Sequence, residues 1–304
     1  MGTVDQQTTL KKRVSLSGVG VHSGKPVTVH FNPATAGEGI VFKRVDSGAE
    51  GRLIRAHASQ VAKTDLCTVI GNNDGDQVMT IEHLMSAVSG LGIDNLLIEI
   101  DNSEVPILDG SSIMFLDAFV EAGIETLPAS RRFIRILKPV RVEAGEAWAE
   151  LVPYNGTRFE VEIDFATPAI GRQKIGLDLS ARIYSREISH ARTFGFIKDV
   201  EWLWAAGLAL GSSLENSVVI GEDDRVVNAA GLRYPDEFVR HKTLDAIGDL
   251  AVIGGPIIGC FRSYRSGHRL NGTVVKEVLA DPSAFEIVEA RRAGTGYEDI
   301  TRAE

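Results

Sequence analysis

Two parts of this chain read as diverged copies of one unit, and nothing else in the sequence restricts the fold as much. Val14 to Val21 and Val27 to Phe31 flank Ser23-Gly24, a hairpin signature. Val140-x-Val142-x-Ala144-Gly145 repeats the pattern of Val19-x-Val21-x-Ser23-Gly24 at an offset of 121 residues, and both lead through alternating residues to a proline, Pro33 and Pro153. His83 and Gly90 then stand seven residues apart ahead of the apolar run Leu96 to Ile100. His241 and Gly248 do the same ahead of Ile253 to Phe261, at an offset of 158. The two offsets leave 37 surplus residues in the second copy, within His190 to Asn228. Two related halves are expected to pack together and to form a site where they meet.

The remaining pattern mixes strands with a few helices. Met79 to Ser89 reads as a helix ending at Gly90, Asn95 to Ile100 as a buried strand, and Ile113 to Ala122 as a helix stopped by Gly123. With no GxGxxG and no regular βαβ rhythm, the fold class is α+β. Leu127-Pro128-Ala129-Ser130 is the linker candidate, dividing the chain into domains 1–127 and 131–304, the second with an insert at about 194–221.

The chain's 304 residues suit two domains. Its 32 basic against 41 acidic residues, a net charge of −9, argue against a nucleic-acid or anionic-membrane binder, since both need a basic face. Cys67 and Cys260 lie in apolar runs outside any CxxC, as buried reduced thiols do in the cytoplasm. Met1 to Leu10 is polar, unlike a signal peptide, and the longest apolar stretch, Trp202 to Leu210, is about half a membrane span. The expectation is a cytoplasmic protein with no membrane insertion.

Seven histidines leave few choices for acid-base or metal chemistry. In Arg240-His241-Lys242-Thr243-Leu244-Asp245-Ala246-Ile247-Gly248-Asp249, the spacing of four puts His241, Asp245 and Asp249 along one helical face. An imidazole and a carboxylate one turn apart can share a divalent cation, though a solvated helix carries such pairs by chance. In Thr80-Ile81-Glu82-His83-Leu84, Glu82-His83 offers a base beside a ligand, or simply an acidic helix start. Ser266-Gly267-His268-Arg269 places a histidine after a strand, on an accessible loop. Together these segments could assemble the three protein ligands of an open zinc site.

In order and spacing, these segments resemble the UDP-3-O-acyl-N-acetylglucosamine deacetylases, zinc amidases of lipid A biosynthesis. The likeness runs from Gln7-Thr8-Thr9-Leu10 and Gly18-Val19-Gly20-Val21-His22-Ser23-Gly24 through Thr80 to Leu84 and Gly90-Leu91-Gly92-Ile93-Asp94-Asn95. It continues through Ala191-Arg192-Thr193-Phe194-Gly195-Phe196 and Glu237 to Asp249, and ends at Ser266-Gly267-His268. The resemblance implies two domains, each a sheet with two helices, stacked as a β-α-α-β sandwich with an acyl-chain insert in the second. It implies His83, His241 and Asp245 as ligands of Zn²⁺, a site that Fe²⁺ also suits. Glu82 matches the general base and His268 the acid for the departing amine. Asp249 matches the partner of His268, and Thr193 a donor to the oxyanion.

Substrate contacts implied in the same way are Lys242 and Arg265 for the diphosphate, Phe194 for the sugar, and Leu66 and Cys67 at the mouth. Ile197, Val200, Ala209, Leu214 and Val219 would line the acyl passage. One departure is Val152, before Pro153-Tyr154-Asn155-Gly156, where the resemblance leads one to expect a Lys; without that charge the resemblance does not carry nucleotide contacts over to this segment. The implied partner is a small UDP-acyl-sugar, and the implied state a monomer. The alternatives are an amidase for another acetylated amine and a non-catalytic sugar-nucleotide-binding protein.

Overall fold

The computed structural model describes residues 5–46, 52–71, 76–290 and 300–302. The outer ends of the expected domain ranges, residues 1–4 and 303–304, lie outside them. The first half is built on a five-stranded sheet in the spatial order Val14–Val19, Pro26–Pro33, Leu96–Ile100, Ile40–Arg44, Arg52–Arg55. Ile40–Arg44 runs parallel to Leu96–Ile100, and the other neighbours are antiparallel. The second half repeats this order with Val140–Ala144, Ala147–Val152, Ile257–Tyr264, Thr157–Asp164 and Arg172–Asp178. Within those five, the parallel pair is again the middle strand with the fourth, Ile257–Tyr264 with Thr157–Asp164. The duplication read from sequence is thus a duplication of topology. Gly24 and Gly145 do both sit in hairpin turns with φ of 64° and 62°. Val21 and Val142 are not equivalent, because Val21 lies beyond its strand, in the turn.

In each half, one helix precedes the middle strand and one follows it. They are Glu82–Leu91 and Ile113–Ala122 in the first, and Glu237–Leu250 and His268–Ala280 in the second. Glu82–Leu91 packs on Glu237–Leu250, while Ile113–Ala122 and His268–Ala280 each rest on their own sheet. The result is an α+β fold in four layers, sheet-helix-helix-sheet. One apolar cluster joins them, from Phe31, Phe42 and Phe119 through Leu84 and Leu244 to Phe159 and Phe261. The two central helices approach so closely that a Cβ on Gly248 would stand 1.9 Å from the Glu82 carbonyl oxygen.

Four local expectations change. The helix expected over Met79 to Ser89 starts at Glu82, because Thr80 has a left-handed backbone (φ 58°) that no helix interior accepts. It ends past Gly90, which stays helical with its bare Cα against the Tyr184 ring, and is capped by Gly92. Leu127 to Ser130 is not a free linker: Ile124–Ser130 is a strand paired with Gln6–Leu10. His268 is not on an open loop but is the first residue of a helix, with its side chain 12% exposed. The first half also carries an addition that the sequence did not announce, a small sheet of Val61–Lys63, Val69–Gly71 and Gln77–Val78.

Candidate metal centre and catalytic pocket

Where the two central helices meet, three side chains converge. His83 Nε2 and His241 Nε2 stand 3.5 and 3.3 Å from Asp245 Oδ1. The imidazole rings meet edge to face with centroids 4.9 Å apart. One donor atom from each residue fits within 4.8 Å of the others. His241 Nδ1 faces the Ala191 carbonyl at 3.1 Å, which fixes the proton on Nδ1 and leaves the Nε2 lone pair toward the centre. Burial pushes the His241 pKa down to about 4, so the ring is neutral, as a ligand must be.

Burial alone would raise the Asp245 pKa. The adjoining Lys242 ammonium outweighs it and holds the carboxyl well below its usual range. Oδ2 takes the Lys242 ammonium at 2.6 Å, whereas the buried Oδ1 has no hydrogen-bond partner. A buried carboxylate oxygen left bare between two imidazole nitrogens is the expected signature of a cation site. The donor set of two nitrogens and one oxygen fits a divalent transition-metal ion with a position open.

Glu82, Asp249 and His268 form a second cluster of comparable spread. Most of its acceptors, however, are already in use. Glu82 Oε2 accepts from the Thr68 N–H at 3.0 Å. Asp249 accepts from the Thr68 hydroxyl at 2.6 Å, from Asn271 Nδ2 at 2.9 Å and from His268 Nδ1 at 2.9 Å. This cluster therefore reads as acid-base machinery. Burial raises the Glu82 pKa, with His268 and His83 acting against it. Burial opposes the His268 cation, but Asp249 and Glu82 outweigh burial and push its pKa up to about 9. His268 Nε2 lies 3.8 Å from Glu82 Oε1, so a proton acceptor and a proton donor face each other beside the three ligands.

Both clusters open into a cavity of about 490 Å³. Among the expected residues, its wall contains Glu82, His83, Thr193, Phe194, His241, Lys242, Asp245, His268, Leu66, Val200, Ala209, Leu214 and Val219. Four others are placed elsewhere. Asp249 lies behind His268. Arg265 is turned to Glu146 at 3.1 Å. Ile197 points outward, 44% exposed. Cys67 is buried behind the wall, its thiol pushed up to about 12 by burial and by Glu82, which makes it an inert packing group. The insert is a small parallel pair, Phe194–Phe196 with Val218–Ile220, joined through the short helix Val200–Ala205. Leu203 and Trp204 on that helix, with Phe165 and Phe196, extend the apolar lining. Val152 is buried at the end of its strand and brings no charge there.

Sequence reasoning missed part of the rim. Val21, His22, Thr80 and Ile107 also line the cavity. Buried Glu104 holds this rim, accepting from the N–H groups of His22 and Ser23 at 2.9 and 2.8 Å and from the Thr80 hydroxyl at 3.0 Å. The insert leans on the same turn, because Leu210 and Gly211 donate to the carbonyls of His22 and Val21. The motif Gly18 to Gly24 was the available signal, but it carried no role by itself.

Residues 7–280 match the UDP-3-O-acyl N-acetylglycosamine deacetylase family. Proteins named UDP-3-O-acyl-N-acetylglucosamine deacetylase from Brucella ovis and Brucella canis are each 59% identical to this chain over 284 residues, covering 93% of it and 99% of theirs. Another so named, from Brucella melitensis biotype 2, is 58% identical over the same length. With the match spanning both halves and the site between them, this chain belongs to the UDP-3-O-acyl N-acetylglycosamine deacetylase family.

Proposed function

We propose that this protein hydrolyses the N-acetyl group of a UDP-3-O-(3-hydroxyacyl)-N-acetylglucosamine, releasing acetate and the free sugar amine for lipid A biosynthesis. It works with Zn²⁺, whose ligand set also suits Fe²⁺, as a cytoplasmic monomer on a small-molecule substrate. Among the described residues, no helix is long and apolar enough to cross a membrane. The domains in this reading are residues 1–127 and 131–304, with the acyl insert at about 194–221.

One observation carries the reading. The bare Asp245 oxygen between two histidines faces the Glu82–His268 pair in a cavity that continues along an apolar insert. His83, His241 and Asp245 would hold the ion. When bound, it supplies Lewis acidity toward the amide carbonyl and toward water. Glu82, its pKa raised by burial, orients the attacking water and takes its proton. Thr193 stands on the wall to donate to the developing oxyanion. His268, held cationic by Asp249, gives its proton to the sugar nitrogen as the C–N bond breaks. Without that proton an amine is a poor leaving group.

Leu203, Trp204, Leu214 and Val219 give the acyl chain an apolar path. Phe194 offers a face to the sugar. Lys242, already bound to Asp245, brings its charge to the cavity edge. The test is acetate release from the acylated substrate and from the same sugar nucleotide without its acyl chain. The expected result is strong preference for the acylated form, abolished by chelator and restored by zinc. Equal rates on both substrates would sink the lipid reading, and activity indifferent to chelator would sink the metal reading.

A further inference from the structure

Glu82 and His268 come from different halves of the molecule, so their separation is set by whatever spans the junction. Thr68 spans it. It lies in the loop just ahead of the strand Val69–Gly71 of the first half's small added sheet, 2% exposed. Its N–H donates to Glu82 Oε2 at 3.0 Å, and its carbonyl accepts from the N–H of Ile81, just ahead of Glu82, at 3.3 Å. Its hydroxyl donates to Asp249 Oδ1 at 2.6 Å. The other oxygen of Asp249 receives His268 Nδ1 at 2.9 Å. Each polar group of this one residue is therefore committed to the acid-base pair, two on the base side and one on the acid side. The hydroxyl bond is the cross-junction link in this chain of contacts. Bond directions also matter. The hydroxyl bond to Asp249 Oδ1, which itself lies 3.2 Å from His268 Nδ1, restrains the Asp249 rotamer, and the imidazole axis follows it.

We propose that Thr68 is a positioning residue that sets the distance and orientation between base and acid across the domain junction. The inference rests on the reading of Glu82 as base and His268 as acid. A group two bonds removed from the reacting atoms can matter this much, because a misplacement of about 1 Å costs on the order of 10²-fold in rate.

The experiment compares Thr68→Val, which keeps the shape and the backbone contacts but loses the hydroxyl, with Thr68→Ser, which keeps the hydroxyl. Each is assayed as metal-loaded full-length enzyme for kcat, KM, metal content and melting temperature. In Thr68→Val, Asn271 and His268 still hold Asp249 Oδ2. Its kcat is expected to fall about 10- to 100-fold with KM within about twofold and metal content unchanged. Thr68→Ser is expected to recover most of kcat. A Thr68→Val kcat within threefold of the parent overturns the proposal. So does equal impairment of the serine and valine variants, or a loss that tracks metal content. Should the valine variant not fold, Thr68→Ala removes the same hydroxyl and is held to the same criteria. Glu82→Gln and His268→Ala run alongside. If those two remain active, the base-and-acid reading fails; if they are inactive while Thr68→Val is not, only the Thr68 inference fails.

Discussion

Gly248→Ala adds one methyl group where the two central helices touch, and two effects of opposite sign compete there. Alanine favours a helix interior over glycine by about 1 kcal/mol. Against that, the new Cβ would stand 1.9 Å from the Glu82 carbonyl oxygen, 2.7 Å from its carbon and 3.0 Å from its Cα. Ordinary contact begins at 3.4 Å, so the helices must part by about 1.5 Å along that line. The obstacle is backbone on both sides, so no side chain can swing away. Overpacking of this kind costs about 1–3 kcal/mol, and a rigid contact belongs at the upper end. The net is a loss on the order of 1–2 kcal/mol, or roughly 2–4 °C in a chain of this size.

The larger effect falls on the metal centre. Glu82 and His83 ride on one helix, His241 and Asp245 on the other, and the donor atoms of His83, His241 and Asp245 lie within 4.8 Å of one another. Moving the helices apart by about 1.5 Å takes His83 out of reach of an ion held by the other two. Zinc affinity, measured by competition with a chromogenic chelator, is expected to fall at least about 10-fold. Gly272→Ala is the control. It too lies inside a helix, but its Cβ would meet only Thr64 Cγ2 at 3.5 Å. Propensity should therefore win there, with a melting temperature raised by about 1–2 °C and zinc affinity unchanged. If Gly248→Ala melts no lower than the parent and binds zinc within twofold of it, the close-approach argument is wrong.

Three further outcomes are expected. Glu82→Gln and His268→Ala each lower kcat by about 10²-fold or more while metal analysis finds a normal complement; metal loss in either would move it into the ligand set. Asp245→Ala, by contrast, emerges from purification with little zinc, and a full complement would remove it from the ligands. Glu237→Gln strands Arg192, whose side chain it holds at 2.9 Å in a buried pair, and should cost about 3 kcal/mol or more at pH 7 in urea unfolding. Burial works against the ionised Glu237, but hydrogen bonds from Arg192 and Arg233 overcome it and hold its pKa below the ordinary 4.5. Its contribution is therefore fully present above about pH 4.5 and is lost as pH falls through the folded value, so parent and variant should converge in stability toward acid; a constant difference down to pH 3 would contradict this.

The sequence made the duplication and the ligand candidates legible because each rests on short local patterns. His241 and Asp245 are one turn apart, and a helix must put them on one face. Gly248 was legible only as half of a spacing match; its role as the contact point of two helices needs the partner backbone. The start of the Glu82 helix was misplaced because Thr80 takes a left-handed backbone, which composition does not betray, and its hydroxyl is bonded to Glu104, 24 residues away. Arg265 and Cys67 fall near the cavity in sequence order, but pairing with Glu146 and burial decide where their side chains go. Thr68 and Asn271 were unreadable, since an isolated threonine or asparagine has no pattern until its carboxylate partner is in place.

The duplication also explains why the site can exist only at the junction. Each copy contributes the helix ahead of its middle strand, and the two helices pack against each other. The copies have not kept the same residues. The first gives a carboxylate and an imidazole at its helix start, Glu82 and His83. The second gives an imidazole and two carboxylates at successive turns, His241, Asp245 and Asp249, and its following helix begins with His268. Neither half alone holds all three proposed metal ligands, and neither holds both the proposed base and the proposed acid. The additions follow the same division: Thr68 comes from the loop entering the first copy's small sheet, and the proposed acyl lining comes largely from the second copy's insert. On the proposed reading, chemistry and chain recognition sit in separate segments while the shared core keeps the two central helices in contact. A fault in that contact is therefore expected to cost activity before it costs the fold.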